Sequence, residues 1–182
     1  MVRLLVCVRL LFSAAALAQH IGSSDFEESR DGITLVQQYI KAPAPFITRV
    51  EFVGGNLVYT VSVDTSRGFE LCPADACQIE AVSSACSTVA AGDKFQILPK
   101  FEHPLLPAWQ AFLAANDIDI AGVEFIADAV GHTFTYDINT NTNYNPDAEA
   151  KDGRSGMRAI AAYLRSLLTE RYRSISQPAS AA

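Results

Sequence analysis

Basic residues are scarce in this sequence: 14 Lys and Arg stand against 20 Asp and Glu, a formal net charge of −6 over 182 residues. Nucleic-acid partners are held through a Lys and Arg excess at phosphates, and no basic stripe occurs along the chain, so that class of partner is disfavoured. Lysine is scarcer than arginine, at Lys41, Lys94, Lys100 and Lys151 only. Long apolar runs are missing too. The stretch from Leu4 to Leu17 is short and Arg9 interrupts it, so no membrane partner is expected. Cysteine is limited to Cys7, Cys72, Cys77 and Cys86. Cys72 and Cys77 are separated by four intervening residues rather than the two of a zinc knuckle, and no second pair follows, which argues against zinc. Free thiols in a reducing cytosol are one reading of these cysteines, and disulfides in an exported chain are another.

What is present is ordinary globular material. Apolar residues make up 49% and charged residues 19%, enough for one core of fair size. Met1-Val2-Arg3, the apolar stretch and Ala16-Leu17-Ala18 resemble a secretory signal, although an Arg within such a stretch costs roughly 2.5–3.5 kcal/mol on insertion scales. The same residues also read as an amphipathic helix ending before Ser23-Ser24-Asp25. Residues 1–31 are therefore a helix and linker of either kind, residues 32–173 the main domain, and residues 174–182 a polar, flexible tail.

Within the main domain, Ile33 to Ile40 has strand composition and is broken by Ala42-Pro43-Ala44-Pro45. Phe46 to Val53 and Leu57 to Val63 are strand-like runs joined by Gly54-Gly55-Asn56, a hairpin signal. Residues 65–100 are hard to assign beyond a short helix over Ala81 to Ala91. Leu105 to Asn116 reads as a helix with Leu105, Trp109, Phe112 and Leu113 on one face. Gly122 to Ile126 and Thr133 to Asn139 form a second hairpin around Asp128-Ala129-Val130-Gly131, and an Asn-rich loop follows. Ser155 caps a last helix whose expected buried stripe is Met157, Ile160, Ala161, Leu164, Leu167 and Leu168. The order implies an α+β domain with helices packed on a mainly antiparallel sheet.

The second hairpin carries the chemistry. Strand side chains alternate between faces, so Phe134, Tyr136 and Ile138 should share one face and Thr135, Asp137 and Asn139 the other. On the preceding strand Val123 and Phe125 oppose Glu124. Burying the apolar members together requires a register that sets Glu124 across from Asp137. Two facing carboxylates repel unless something offsets them, and a hard divalent cation does so. A solvent-facing hairpin whose polar residues keep it soluble fits the same pattern, and the pattern alone leaves both readings open.

The residues also carry a family resemblance. Gly122-Val123-Glu124-Phe125 followed by Tyr136-Asp137-Ile138-Asn139-Thr140-Asn141 resembles the paired metal motif of ATP-grasp enzymes. Gln37-Gln38-Tyr39-Ile40 resembles the hinge strand bordering the adenine, and Phe46 to Gly55 resembles the strand whose Arg faces the phosphates. The pieces stand in family order over about Gly32 to Leu168 and are most similar to ribosomal-protein-type and related α-L-glutamate ligases. The resemblance implies an ATP-grasp C-terminal subdomain. Its implied roles are Glu124, Asp137 and Asn139 as ligands of Mg²⁺ or Mn²⁺, Arg49 as a catalytic contact to ATP or an acyl phosphate, and Gln38 and Tyr39 beside adenine. Arg49 also reads as a strand Arg paired with Glu51 or another acidic neighbour. Gln38 departs from the Glu often found there, and His103 before Pro104 reads as structural.

The implied activity is an ATP-dependent carboxylate–amine ligase that works through an acyl phosphate, in the cytoplasm, on small-molecule or peptide substrates. The family's N-terminal domain and its lid with two phosphate-binding lysines have no counterpart here, so a truncated member is expected, with residues 1–31 a lid remnant or signal-like. Two alternatives stay in view. One is a non-catalytic nucleotide- and Mg²⁺-binding module completed by a partner chain. The other is a secreted protein with disulfides among Cys72, Cys77 and Cys86.

Overall fold

The computed structural model describes residues 9–29, 31–66 and 94–176, with side chains as far as Arg173. All four cysteines, the stretch Phe69 to Asp75 and the helix expected over Ala81 to Ala91 lie outside the described residues. The chain divides into two units, the first running to Lys41 and the second beginning at Ala42.

In the first unit a helix, α1 (Ala14–Ile21), starts where Ser13 accepts a hydrogen bond from the Ala16 N–H at 3.1 Å. That bond satisfies one of the orphan donors at a helix start. It ends at Gly22, as the polar run Ser23-Ser24-Asp25 implied. The strand expected over Ile33 to Ile40 is absent: the segment is irregular, and Ile33, Leu35, Val36 and Tyr39 are exposed. Strand composition is not enough there, because an extended chain becomes a strand only by pairing its N–H and C=O groups with a neighbour.

The second unit is built on one antiparallel sheet of five strands in the order β3-β2-β1-β4-β5, making an α+β architecture. Its strands are β1 (Phe46–Val53), β2 (Asn56–Asp64), β3 (Phe95–Leu98), β4 (Ile120–Ala127) and β5 (Thr133–Asn139). Gly54 and Gly55 join β1 to β2 with φ of +57° and +72°. Two successive positive φ values define the tight turn whose twist suits a hairpin, and only glycine adopts them without strain. The second hairpin closes through Asp128, whose Oδ1 accepts from the Val130 and His132 N–H groups at 3.0 and 2.9 Å. Strand β3 falls in the part of the sequence that resisted assignment.

β1 is central, and every residue of it except Phe46 is buried. Its Val50 and Phe52 point to one face, where they pack with Ala121, Val123, Phe125, Trp109 and Leu113. The helix supplying Trp109 and Leu113 is α2 (Leu106–Ala115), close to the expected span. Trp109 Nε1 donates to Thr135 Oγ1 at 2.8 Å and Gln110 Nε2 to the Gly55 carbonyl at 2.8 Å, tying the helix to both hairpins. Phe112, expected on the buried face, is 49% exposed; the strip at i, i+4 spacing through Leu105, Trp109 and Leu113 takes the contacts.

The other face of the sheet holds Ile47, Tyr59, Val61, Val63 and Ile97 against Ala148. Ala148 belongs to a helix inside the Asn-rich stretch that had read as loop, α3 (Pro146–Asp152). Asn145 caps it by accepting from the Ala148 N–H at 2.8 Å, and Gly153 at φ +70° ends it. The last helix, α4 (Gly156–Ser176), runs into the stretch read as tail, and Ser155 Oγ accepts from the Arg158 N–H at 3.3 Å as expected of its cap. Its expected buried stripe is largely exposed, with Met157, Leu164, Leu167 and Leu168 between 41% and 63% accessible. Tyr163 makes the contact instead, its ring lying over Gly54.

A Cβ on Gly54 would stand 2.5 Å from the Tyr163 ring, whereas one on Gly55 meets nothing within 4 Å. Gly54→Ala should therefore destabilise by about 2–4 kcal/mol, from positive φ and overpacking together, and Gly55→Ala by only about 1–2 kcal/mol from φ alone. Urea unfolding of the two variants measures the difference, and equal losses would contradict the packing of Tyr163 on the turn.

Candidate functional site

The polar centre lies on the face of the sheet opposite α2. β1 contributes Arg49 and Glu51, two residues apart and therefore on the same side. Across the β1–β4 ladder Arg49 faces Glu124 and Glu51 faces Gly122. Arg49 Nε donates to Glu51 Oε1 at 2.6 Å, and Nη1 donates to Glu124 Oε1 at 3.1 Å. All three side chains are at least nine-tenths buried. Gly122 makes room for this arrangement, because a Cβ there would stand 2.5 Å from Arg49 Nε.

β4 and β5 take the register expected from the sequence: Glu124 pairs with Asp137 and Gly122 with Asn139. Glu124, Asp137 and Asn139 thus share one face with Arg49 and Glu51. The alternation fails one residue further on. A bulge shifts the pairing between Glu124 and Phe125, so that Phe125 faces Thr135 and Tyr136 is the extra residue. Ile138 stays on the α2 face with Val123, but Tyr136 turns to the polar face and donates its hydroxyl to Glu124 Oε2 at 3.0 Å. The expected grouping of Phe134, Tyr136 and Ile138 on one face is corrected accordingly. The polar bond to Glu124 overrides the period-two pattern.

The remaining sequence-derived residues fall elsewhere. Gln38 and Tyr39 belong to the first unit and to no strand. His103 is structural, as expected: its ring stacks on Phe101 and Trp109, and its Nδ1 accepts from the Leu105 N–H at 3.2 Å. Burial in that aromatic nest holds its pKa below the usual value.

Residues not anticipated complete the surroundings. Glu149 of α3 is buried, and its Oε1 accepts from Tyr59 OH at 2.7 Å and from the Gly156 N–H at 2.6 Å. It thereby couples β2 to the start of α4, where a negative charge is favoured. The signal for α3 was available as Asn145-Pro146-Asp147, a cap, a first-turn proline and an acid, with Gly153 at the end. Tyr144 packs edge-on against Tyr59 and leads to the cap.

Electrostatically the centre holds one guanidinium against two carboxylates. Burial pushes the Glu51 and Glu124 carboxyls above the ordinary value of 4.5 even though Arg49 pulls both down. For Glu124 the Tyr136 hydroxyl also opposes the rise, and Asp137 across the ladder adds to it. Burial alone would lower the Arg49 pKa, but the two carboxylates raise it, so it stays charged. Among the described residues no three His, Cys, Asp or Glu side chains group around a metal position. Glu124, Asp137 and Asn139 nevertheless place three oxygen-bearing side chains on this face, with Asn139 Oδ1 accepting from the Asn141 N–H at 2.8 Å. That set fits Mg²⁺ or Mn²⁺, which take carboxylate, carbonyl and water oxygens.

A cleft of about 40 Å³ opens beside this centre, lined by Arg49, Glu51, Glu124, Lys94, Tyr144 and neighbours. A roomier depression of about 800 Å³ follows the exposed side of α4 past Leu164 and Leu168. It has no carboxylate in its lining.

No family model matches the chain, and no curated protein matches it. Among solved structures it is similar to the macrocyclase MdnB from Microcystis aeruginosa, with a TM-score of 0.47 and 16% identity over 85% of this chain and 46% of that one. It is also similar to the ATP-grasp ligase PsnB complexed with a phosphomimetic variant of a minimal precursor, Mg and ADP (TM-score 0.45, 10% identity, 72% of this chain and 34% of that one). A third is a RiPP-associated ATP-grasp ligase from Chryseobacterium gregarium in complex with ADP and a leader and core peptide (TM-score 0.43, 14% identity, 69% and 34%). The chain spans a third to just under half of these proteins' lengths. Every one of these TM-scores is below 0.5.

The raised carboxyls have a consequence for stability. The folded chain keeps protons on Glu51 and Glu124 at pH values where the unfolded chain has released them, so their contribution is full below 4.5 and is lost as pH rises through the folded-state values. Glu124→Gln should therefore flatten the fall of Tm between pH 4.5 and neutrality relative to the parent. Parallel Tm profiles for the two proteins would contradict burial of an ionisable Glu124.

Proposed function

We propose that this chain is the C-terminal, nucleotide- and metal-binding part of an ATP-dependent carboxylate–amine ligase of the ATP-grasp type. The observation that carries the reading is the pairing of Glu124 with Asp137, with Asn139 on the same face and Arg49 bonded to Glu124. A buried carboxylate opposite a second carboxylate is unfavourable without a counter-cation, and Arg49 is already shared with Glu51. Glu124, Asp137 and Asn139 are the residues that would hold Mg²⁺ or Mn²⁺.

When bound, the metal supplies electrostatic stabilisation to the transferring phosphoryl group. The chain's own residues orient that charge. Tyr136 fixes one oxygen of Glu124 and Arg49 the other, so the ligand carboxylate is preorganised rather than free to rotate. In the ligase reading a substrate carboxylate takes the γ-phosphoryl group of ATP, and an amine then displaces phosphate from the acyl phosphate to leave an amide. The substrates are small-molecule or peptide carboxylates and amines, and the glutamate-ligase type is the form of the chemistry that the motifs resemble most.

A second reading is a nucleotide- and Mg²⁺-binding module that a partner chain completes. The exposed apolar side of α4, with Leu164 at 49% and Leu168 at 56%, favours it, since such faces mark interaction surfaces.

Calorimetric titration of ATP with and without Mg²⁺ tests the common core of both readings. Binding should require Mg²⁺, and Asp137→Ala, a change at an exposed position, should weaken it at least about tenfold while leaving the fold intact. Binding that is indifferent to Mg²⁺ or to Asp137→Ala would remove the proposal.

A further inference from the structure

Leu105 stands at the N-cap position of α2, and its side chain makes no capping bond. His103 supplies the acceptor instead. Its Nδ1 takes the Leu105 N–H at 3.2 Å, and its carbonyl takes the Leu106 N–H at 3.0 Å. A ring nitrogen that accepts carries no proton, so the neutral ring holds its proton on Nε2, 3.3 Å from Thr133 Oγ1 of β5. The ring also stacks on Trp109, with centroids 5.0 Å apart and planes 15° from parallel, and on Phe101 at 5.9 Å. Phe125 of β4 lies against it at 4.9 Å. One imidazole thus touches α2, β4 and β5.

A second proton disrupts this arrangement at one atom. On Nδ1 it would meet the Leu105 N–H, donor against donor, and the start of α2 would lose that cap. The positive charge would also stand at a helix N-terminus, where the backbone dipole disfavours a cation. Aromatic faces attract cations, but they are no substitute for an acceptor at Nδ1. Among the described residues no opposite charge is placed to offset the cost. Lys100 and Glu102, on the segment of His103 itself, are exposed, and α2 has no charged residue. On β4, Glu124 is bonded to Arg49 and Tyr136 on the opposite face, which Asp137 of β5 shares. At the turn between those strands Asp128 is paired with His132 at 3.2 Å. Burial is the cause that holds the His103 pKa below 6.5.

Trp109 carries the effect onward. Its Nε1 donates to Thr135 Oγ1 at 2.8 Å, so the side chain that stacks on His103 also ties α2 to β5, two residues before Asp137. We propose that His103 is a proton-operated latch: neutral, it holds the start of α2 and, through Trp109, the edge strand β5; protonated, it lets both go. The latch goes beyond the ligase reading and stands independently of it. A histidine held below its ordinary value contributes stability that is full above 6.5 and is lost as pH falls through the folded-state value. The direction is opposite to that of Glu51 and Glu124, whose contribution grows toward acid, so the latch has to be read locally rather than from Tm.

NMR of the isotopically labelled full chain, from neutral pH down to about pH 5, gives that local reading. The His103 ring nitrogens report tautomer and titration, while hydrogen exchange at the Leu105 N–H and the Trp109 indole N–H reports opening. Neutral His103 should carry its proton on Nε2. As His103 titrates, both N–H groups should lose protection by about fivefold, the scale of losing a helix cap. In His103→Phe, which keeps a ring on Trp109 but cannot titrate, protection of the indole N–H should be flat over the same range. A proton on Nδ1 of the neutral ring, protection that ignores the His103 titration, or the same acid response in His103→Phe overturns the latch. Where His103→Phe does not fold, the parent decides: coincident midpoints for titration and opening sustain the latch, and separate midpoints overturn it. Each of these outcomes leaves the ligase reading to the Mg²⁺ dependence of ATP binding.

Discussion

A guanidinium buried in the middle of a β-sheet is the constraint around which the second unit is arranged. Arg49 sits on the central strand, between Glu51 on its own strand and Glu124 on the next. Removing the cation alone would strand two buried carboxylates, a loss of about 3–5 kcal/mol by comparison with other broken buried pairs. Other features follow from accommodating it. Gly122 has no side chain because the guanidinium occupies the space, and Tyr136 is bulged onto the polar face where it satisfies the second oxygen of Glu124. A well-packed apolar trio would stabilise such a position at least as well. Retaining charge there is better explained by use than by stability, and a set of buried groups with shifted pKa values is where use is expected.

The two faces of the sheet divide the labour. The α2 face is apolar, with Trp109 and Leu113 against Val50, Phe52, Val123 and Phe125, and its burial favours folding. The opposite face mixes Ile47, Val61, Val63 and Ile97 with the polar centre, so aliphatic packing surrounds the polar groups on the same strands. Side chains mounted on paired strands are held more tightly than side chains on loops. Glu149 extends the same logic to the periphery, joining Tyr59 of β2 to the first turn of α4 through one carboxylate oxygen.

Features governed by local chemistry were legible in the sequence, and features governed by distant partners were not. Gly54-Gly55 gave the first hairpin, because positive φ is a property of the residue itself. The pairing of Glu124 with Asp137 followed from side-chain parity. The bulge at Tyr136 did not, because its cause is a hydrogen bond across strands. Ile33 to Ile40 has the composition of a strand without a ladder to join, and the stripe on α4 has the period of a buried face without a surface covering it among the described residues of its unit. α3 is the reverse case, since its cap, proline and terminal glycine were on view but seven residues are too few for a hydrophobic period to show. The burial of Arg49 depended on which strands flank β1, something that only the sheet order reveals.

Paramagnetic mapping locates a metal ion on the Glu124–Asp137 face or elsewhere. Substoichiometric Mn²⁺ added to the isotopically labelled chain broadens the NMR signals of groups close to it. Glu124, Asp137 and Asn139 should lose intensity first, with the Tyr136 ring close behind. Broadening centred on another acidic stretch, such as Asp25 to Asp31, or no broadening in a folded sample, would contradict the assignment of this face as the metal site.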